Sequence, residues 1–205
     1  MKWLMENLLQ RRAERLVRFV VPDLPGFGSI LDVGSGTGHN AEYLTRTTPL
    51  EVVEADVVDI HLVGRGPVLF DGVLLPFRDA AFPASILLFV LQYSQDPVVL
   101  LRELRRVTSG RVIVLQSTYS GTIGRWILST REFVTGRFAF YVVRALGLLT
   151  ARTSALQPKQ YFTRQSLDDI WDASGFRVRV VRRFDAISSC VSRELYVLEP
   201  IAPCP

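Results

Sequence analysis

The sequence is poor in cysteine, histidine and lysine, with two of each in 205 residues. Cys190 and Cys204 stand near the C-terminus and form neither a disulfide framework nor a metal-ligand spacing, so no metal site is expected. So few thiols fit a reducing compartment, and a cytoplasmic location is expected. Long apolar runs are also missing. The longest weakly charged stretch, Phe138 to Leu149, is broken by Arg144 and is too short to span a bilayer. Glu6, Arg11, Arg12 and Glu14 interrupt the N-terminal segment, which excludes the continuous apolar stretch of a signal peptide. There is no internal repeat and no low-complexity tract.

What is present is an ordinary globular balance, 48% hydrophobic and 21% charged, at a length that suits one domain over residues 1–205. The formal charge is +4, carried almost wholly by arginine, since Lys2 and Lys159 are the lysines. A basic balance can serve nucleic acid, anionic membrane or acidic substrates. Here the arginines are scattered, which reads as a solvated surface, and no nucleic-acid partner is expected.

Met5, Leu9, Ala13, Leu16, Val17 and Val20 follow helical spacing, and the helix ends before Pro22 and Pro25, making residues 1–28 a helix and loop. Short apolar runs then alternate with helical stretches: Ile30–Val33, Val52–Ala55, Val68–Phe70, Ile86–Val90 and Val112–Leu115. Runs apolar on both faces are the mark of buried parallel strands, and the alternation implies an α/β, doubly wound Rossmann-like sheet with right-handed crossovers. Val98, Leu101, Leu104 and Val107 place a helix before the fifth run, with Gly110 as its stop. Thr163 caps a later helix carrying Leu167, Ile170 and Trp171, closed by Gly175. Phe176–Val181 and Glu194–Leu198 read as a terminal antiparallel pair. Residues 120–160 break the pattern. They mix Gly121, Gly124, Gly136 and Gly147 with Trp126, Phe133, Phe138 and Tyr141, and read as a helical insertion above the sheet edge: a hinged lid, a packed hairpin, or a peripheral membrane contact or subunit surface.

The strongest chemical signal is Ile30-Leu-Asp-Val-Gly-Ser-Gly-Thr-Gly38, a strand that runs into glycines and then a helix. Glycines permit a sharp turn and close approach of a ligand to the backbone. A dinucleotide fingerprint needs G-x-G-x-x-G, yet His39 occupies the position of its last glycine. Asp32, just before the turn, suits an ammonium better than a pyrophosphate. Asp56 ends the second run, at the tip where ribose hydroxyls are usually held, and Asp71-Gly72 follows the third. Singly, each acid reads as a turn or cap residue; three at successive strand ends line one crevice.

On these residues the chain resembles the class I S-adenosylmethionine-dependent methyltransferases, especially the small single-domain group that includes the quinone-biosynthesis enzymes. Leu75-Pro-Phe-Arg-Asp79, Leu101-Arg-Glu-Leu-Arg-Arg-Val107 and Phe162-Thr163 with Leu167 and Gly175-Phe176 match that family's further patterns. The resemblance implies a seven-stranded sheet with its last strand antiparallel, a helical insertion after strand five, and S-adenosylmethionine as cofactor. It assigns the cofactor to Asp32, Gly34, Ser35, Gly36, Gly38, Asp56, Val57, Asp71, Gly72 and Leu88. In that family the glycine turn holds the methionine part, the acid at Asp56 the ribose, and Asp71 with the Gly72 amide the adenine. Pro83 replaces the usual aspartate before strand four, and Ser109-Gly110 a longer Pro-Gly-Gly turn.

Methyl transfer from a sulfonium needs alignment more than acid-base chemistry, although a carbon or oxygen nucleophile can need a base. His39 and Tyr93 are the candidates. His39 also reads as a helix-start residue facing the loop or solvent, and Tyr93 as an aromatic packed under the insertion. His61 reads as a surface residue. No Asn-Pro-Pro-Tyr tetrad or catalytic cysteine pattern is present, and the apolar 120–160 segment implies a small, lipophilic acceptor. An RNA or protein acceptor, and a cofactor-binding partner subunit without transferase activity, are the alternatives.

Overall fold

The computed structural model describes residues 2–26, 28–145 and 158–201. Seven strands, β1 (Gly28–Val33), β2 (Leu50–Asp56), β3 (Val68–Leu69), β4 (Phe82–Leu88), β5 (Thr108–Tyr119), β6 (Phe176–Ser188) and β7 (Val191–Pro200), form one sheet. Its order is β3-β2-β1-β4-β5-β7-β6. The strands from β1 to β5 pair in parallel, and β7 lies antiparallel to both β5 and β6.

Two-residue alternation along the strands sends side chains into two cores. Leu31, Val33, Val112 and Val114 meet α3 (Pro97–Val107) and α5 (Arg164–Ser174) through Leu101, Leu104, Leu167 and Trp171. Ile30, Ile86, Ile113 and Leu115 meet α1 (Lys2–Val20) and α2 (His39–Thr47) through Leu16, Val17, Val20 and Leu44. Burying each such side chain contributes about 1.5–3 kcal/mol. The predicted caps form as read: the Thr163 hydroxyl accepts from Ser166 N, the Ser166 hydroxyl accepts from Thr163 N, and Gly175 closes α5 in the left-handed region at φ 77°.

From β1 the chain builds outward through β2 and β3, then returns to place β4 and β5 on the other side. The carboxyl ends of β1 and β4 therefore border a switch-point crevice, the usual ligand position in such sheets. The two outer strands differ. β3 is two residues long, whereas β6 has 13 and exposes Arg177, Arg179 and Arg183.

Several sequence expectations need correction. The fourth strand is Phe82–Leu88 and stops before Phe89, because Phe89 takes the left-handed conformation at φ 63°. The third strand is exposed at the sheet edge rather than buried. Gly110 does not stop α3, which ends at Val107; it lies within β5. A Cβ there would meet the Pro83 carbonyl at 2.3 Å, and the β4–β5 register shifts at this point. Gly110 thus lets β5 bulge past a proline that has no amide to give the ladder. Within 120–160 the structure describes one long helix, α4 (Gly121–Ala145), and residues 146–157 lie outside the described part. Gly124 is not a hinge in α4: its Cβ position lies 2.6 Å from the Cys190 carbonyl, so it admits close packing on the β6–β7 turn.

Candidate functional site

The turn after β1 uses its glycines in two ways. Gly34, Gly36 and Gly38 all have positive φ, at 73°, 60° and 82°. A Cβ on Gly34 would lie 2.5 Å from Val90, and one on Gly38 would lie 2.5 Å from the His61 ring and 2.6 Å from the Val63 carbonyl. Those two glycines are required by packing. On Gly36 a Cβ would find only the Gly34 carbonyl, at 4.0 Å, so this residue borders open space. His61 is a buried brace and not a surface residue: its side chain is 6% exposed and its Nε2 lies 2.8 Å from Glu54 Oε1. Leu62 N donates to the Thr37 carbonyl, which ties the same segment to the turn.

The acids divide by environment. Asp32, on the α1–α2 face of β1, is 1% exposed, and its Oδ2 has no hydrogen-bond partner among the described residues. Burial pushes its carboxyl well above the usual carboxylate range, and the neighbouring charges of Glu54 and Asp56 push the same way. Asp56 Oδ2 accepts from Gly36 N at 2.9 Å, and its Oδ1 accepts from Val57 N at 2.7 Å. Burial raises its pKa, and these amides hold part of the shift back. Asp71 is exposed and its Oδ1 caps a turn, accepting from Val73 N and Leu74 N at 2.8 Å each, which lowers its pKa. Gly72 follows at φ 87°, with its Cβ position 3.4 Å from Val57, so these two predicted residues meet. Ser35 is buried with its hydroxyl unpartnered among the described residues, and Leu88 lies in the core at the end of β4.

His39 begins α2 and is buried, 4% exposed, rather than facing solvent. Its Nδ1 lies 3.0 Å from the Thr37 hydroxyl, and its buried Nε2 has no partner among the described residues. Burial lowers its pKa, which keeps the ring neutral at pH 7. Tyr93 ends a 3₁₀ turn, Leu91–Tyr93, beyond β4, and burial raises its pKa.

Other residues beside the site had no role assigned from the sequence. Glu103 and Arg106, one helical turn apart, grip the Leu75–Asp79 segment. Glu103 Oε1 accepts from Leu75 N at 2.8 Å, and Arg106 donates to the Leu75 and Phe77 carbonyls and to Asp79. Two matched family patterns are therefore halves of one clamp, a relation their separation in the chain hides. Beyond β4, Gln116 Nε2 donates to Gln92 Oε1 at 3.0 Å, and Lys159 N donates to the Gln92 carbonyl. Neutral polar residues in an apolar run gave no signal of this. A hollow of 830 Å³ between α5 and β6, lined by Asp168, Trp171 and Phe176, contains none of the predicted residues.

With this geometry in place, the family is defined by sequence. The methyltransferase domain pattern matches residues 5–181, and the chain belongs to that family. It is an S-adenosylmethionine-dependent methyltransferase. The chain is 28% identical over 193 residues to a demethylmenaquinone methyltransferase of Thermotoga maritima, covering 85% of this chain and 79% of that protein. Its fold is similar to a SAM-dependent methyltransferase of Methanosarcina mazei, with TM-score 0.61 at 14% identity over 90% of this chain and 98% of the other. It is also similar to the geranyl diphosphate C-methyltransferase of Streptomyces coelicolor, with TM-score 0.64 at 12% identity over 93% and 80%. Among the described residues, no helix is long and apolar enough to cross a membrane.

Proposed function

We propose that the glycine turn, Asp32 and Asp56 hold S-adenosylmethionine, and that the chain methylates a small, lipophilic acceptor placed over the carboxyl ends of β4 and β5. The observation that carries the cofactor assignment is the group of buried polar atoms around the turn with no partner among the described residues: Asp32 Oδ2, Ser35 Oγ and His39 Nε2. A buried polar atom without a partner costs about 1–3 kcal/mol, more if charged, and a bound ligand removes that cost. The Asp32 carboxylate suits the cofactor's ammonium, Asp56 its ribose hydroxyls, and the open side of Gly36 gives the methionine chain room. Val57 and Gly72 would hold the adenine, with the Gly72 amide free to donate to it. When bound, the cofactor supplies a sulfonium methyl that passes in line to an acceptor nucleophile.

The chain's part is alignment, exclusion of water and, where the nucleophile carries a proton, a base. His39, neutral with its Nε2 open, can take that proton; Tyr93, kept as a phenol, can donate a hydrogen bond. The lipophilic reading draws support from exposed Ile123 and Trp126 on α4, each 70% exposed, and from relatives named for demethylmenaquinone and geranyl diphosphate.

Calorimetry with S-adenosylhomocysteine and NAD tests the cofactor assignment: the first binds and the second does not, and the reverse pattern would overturn it. Labelled-cofactor transfer to lipid-soluble metabolite, RNA and protein fractions tests the acceptor class, with label expected in the first.

A further inference from the structure

We infer that Gln116 reads the head group of the acceptor: its side-chain carbonyl takes a hydrogen bond from an O–H or N–H of the substrate, and a chain of amides running to Glu132 keeps that carbonyl from turning away. This inference rests on the acceptor position given above.

Gln116 stands on β5 one residue past Leu115, whose carbonyl accepts from Phe89 N where β4 leaves the sheet. It therefore lies at the carboxyl ends of β4 and β5, and it is 1% exposed. An amide so deep in the fold has to meet its hydrogen bonds from protein, water or ligand. Its Nε2 donates to Gln92 Oε1 at 3.0 Å, and Gln92 Nε2 reaches Glu132 Oε2 on α4 at 3.5 Å. Gln116 Oε1 is buried and has no partner among the described residues. The Gln92 backbone carbonyl accepts from Lys159 N at 2.7 Å, and Gln160 Nε2 donates to the Leu91 and Ser94 carbonyls at 3.4 and 3.2 Å. Both ends of the 120–160 segment thus close on the turn after β4, one through Glu132 and the other through Lys159 and Gln160. Tyr93, the proposed hydrogen-bond donor to the acceptor, follows Gln92 directly.

The direction of this chain is fixed from its outer end. An amide turns end for end at little steric cost, so two glutamines alone could offer a ligand either a carbonyl or an NH2. A carboxylate only accepts. Glu132, paired through its other oxygen with Arg131 at 3.0 Å, draws the Gln92 NH2 toward itself. That leaves Gln92 Oε1 facing inward, where only the NH2 of Gln116 can meet it. The group left over at the inner end is an acceptor. A buried carbonyl without a donor is costly, and a site built around one rejects a ligand that brings only lone pairs. A hydroxyl or amine on a lipophilic body satisfies Gln116; a ketone or an ether does not.

The test is an NMR titration of phenol and of acetophenone into the protein preloaded with S-adenosylhomocysteine. Both probes carry one polar head on a phenyl ring, and only phenol can donate. Phenol should bind about tenfold or more tightly than acetophenone, with amide shifts at residues 91–94 and at Gln116. Gln116→Leu should erase the preference. Glu132→Gln should erase most of it, chiefly by letting acetophenone bind, because a neutral amide at the outer end lets the chain reverse. That variant alters no group that touches the probe, so a merely structural Gln116 would not respond to it. Both variants should hold S-adenosylhomocysteine as the wild type does, and circular dichroism checks the fold. If Gln116→Leu does not fold, Glu132→Gln decides alone. Equal affinity for the two probes in the wild type, or a preference unchanged in a folded variant, would overturn the inference and leave Gln116 Oε1 to a bound water. S-adenosylhomocysteine binding with no binding of either probe strikes the acceptor position itself.

Discussion

Asp56 and Gly36 act as a pair, since the Gly36 amide donates to the Asp56 carboxylate across the turn. Asp56→Ala removes both the proposed ribose acceptor and the acceptor for the Gly36 and Val57 amides. S-adenosylhomocysteine affinity should fall by about 1.5–3 kcal/mol, together with a lower Tm. Asp56→Asn keeps one carbonyl oxygen, so its affinity should fall with a smaller Tm change; calorimetry and thermal melts separate the two effects. Asp71→Ala should cost less affinity, because Asp71 is exposed and capping its own turn while the Gly72 amide stays available. An unchanged affinity in Asp56→Ala would reduce Asp56 to a turn brace. At Gly36 the outcome should be sharper. Valine there faces a left-handed φ that costs about 1–3 kcal/mol, and its branches enter the open side of the turn. A folded Gly36→Val protein, verified by circular dichroism, should show no measurable S-adenosylhomocysteine binding; normal binding would place the ligand elsewhere.

At the scale of elements, the role of α4 is open to a direct test. It follows β5, packs on the β6–β7 turn through Gly124, meets Gln92 through Glu132, and exposes Ile123, Trp126, Phe133 and Val134. If it covers the acceptor site, S-adenosylhomocysteine should slow amide hydrogen exchange in residues 121–134, because closure excludes water from the transfer step. Protection appearing only with liposomes, or only at raised protein concentration, would make it a docking face instead. Much of the rest was readable beforehand. The α5 caps, the β1 turn and the antiparallel β7 follow from local signals: Thr163, Gly175, the G-x-G-x-G spacing and two β-rich runs. What escaped depends on residues distant in the chain. Gly110 reads as a helix stop until Pro83 is seen opposite it. His61 reads as surface until the Gly38 turn closes over its ring. The clamp of Glu103 and Arg106 joins segments some 28 residues apart, beyond any periodicity in the sequence.

For the molecule as a whole, the site works against the stability of the ligand-free fold. Asp32 and Asp56 have folded pKa values above the ordinary 3.8, so the folded state holds their protons longer than the unfolded state does. Their contribution to stability therefore falls as pH rises from that value through the raised folded values. Asp32→Asn should melt higher than wild type at neutral pH, with the difference shrinking toward acid, and should bind S-adenosylhomocysteine more weakly. Thermal melts across pH, with and without ligand, check both; a mutant that melts lower at neutral pH would show the Asp32 charge to be already compensated. The arginine-rich composition has its own consequence at the sheet's outer strand. β6 offers 13 residues of edge, long enough to template a second chain, but Arg177, Arg179 and Arg183 repeat along it. Glu199 pairs with Arg179, so two such edges brought together would set chiefly Arg177 and Arg183 against their like, and β3 at the opposite margin is too short to seed pairing. The surplus of positive charge thus guards the sheet against fibre-like growth, and a variant neutralised along β6 would trade that protection for a surface prone to polymerise.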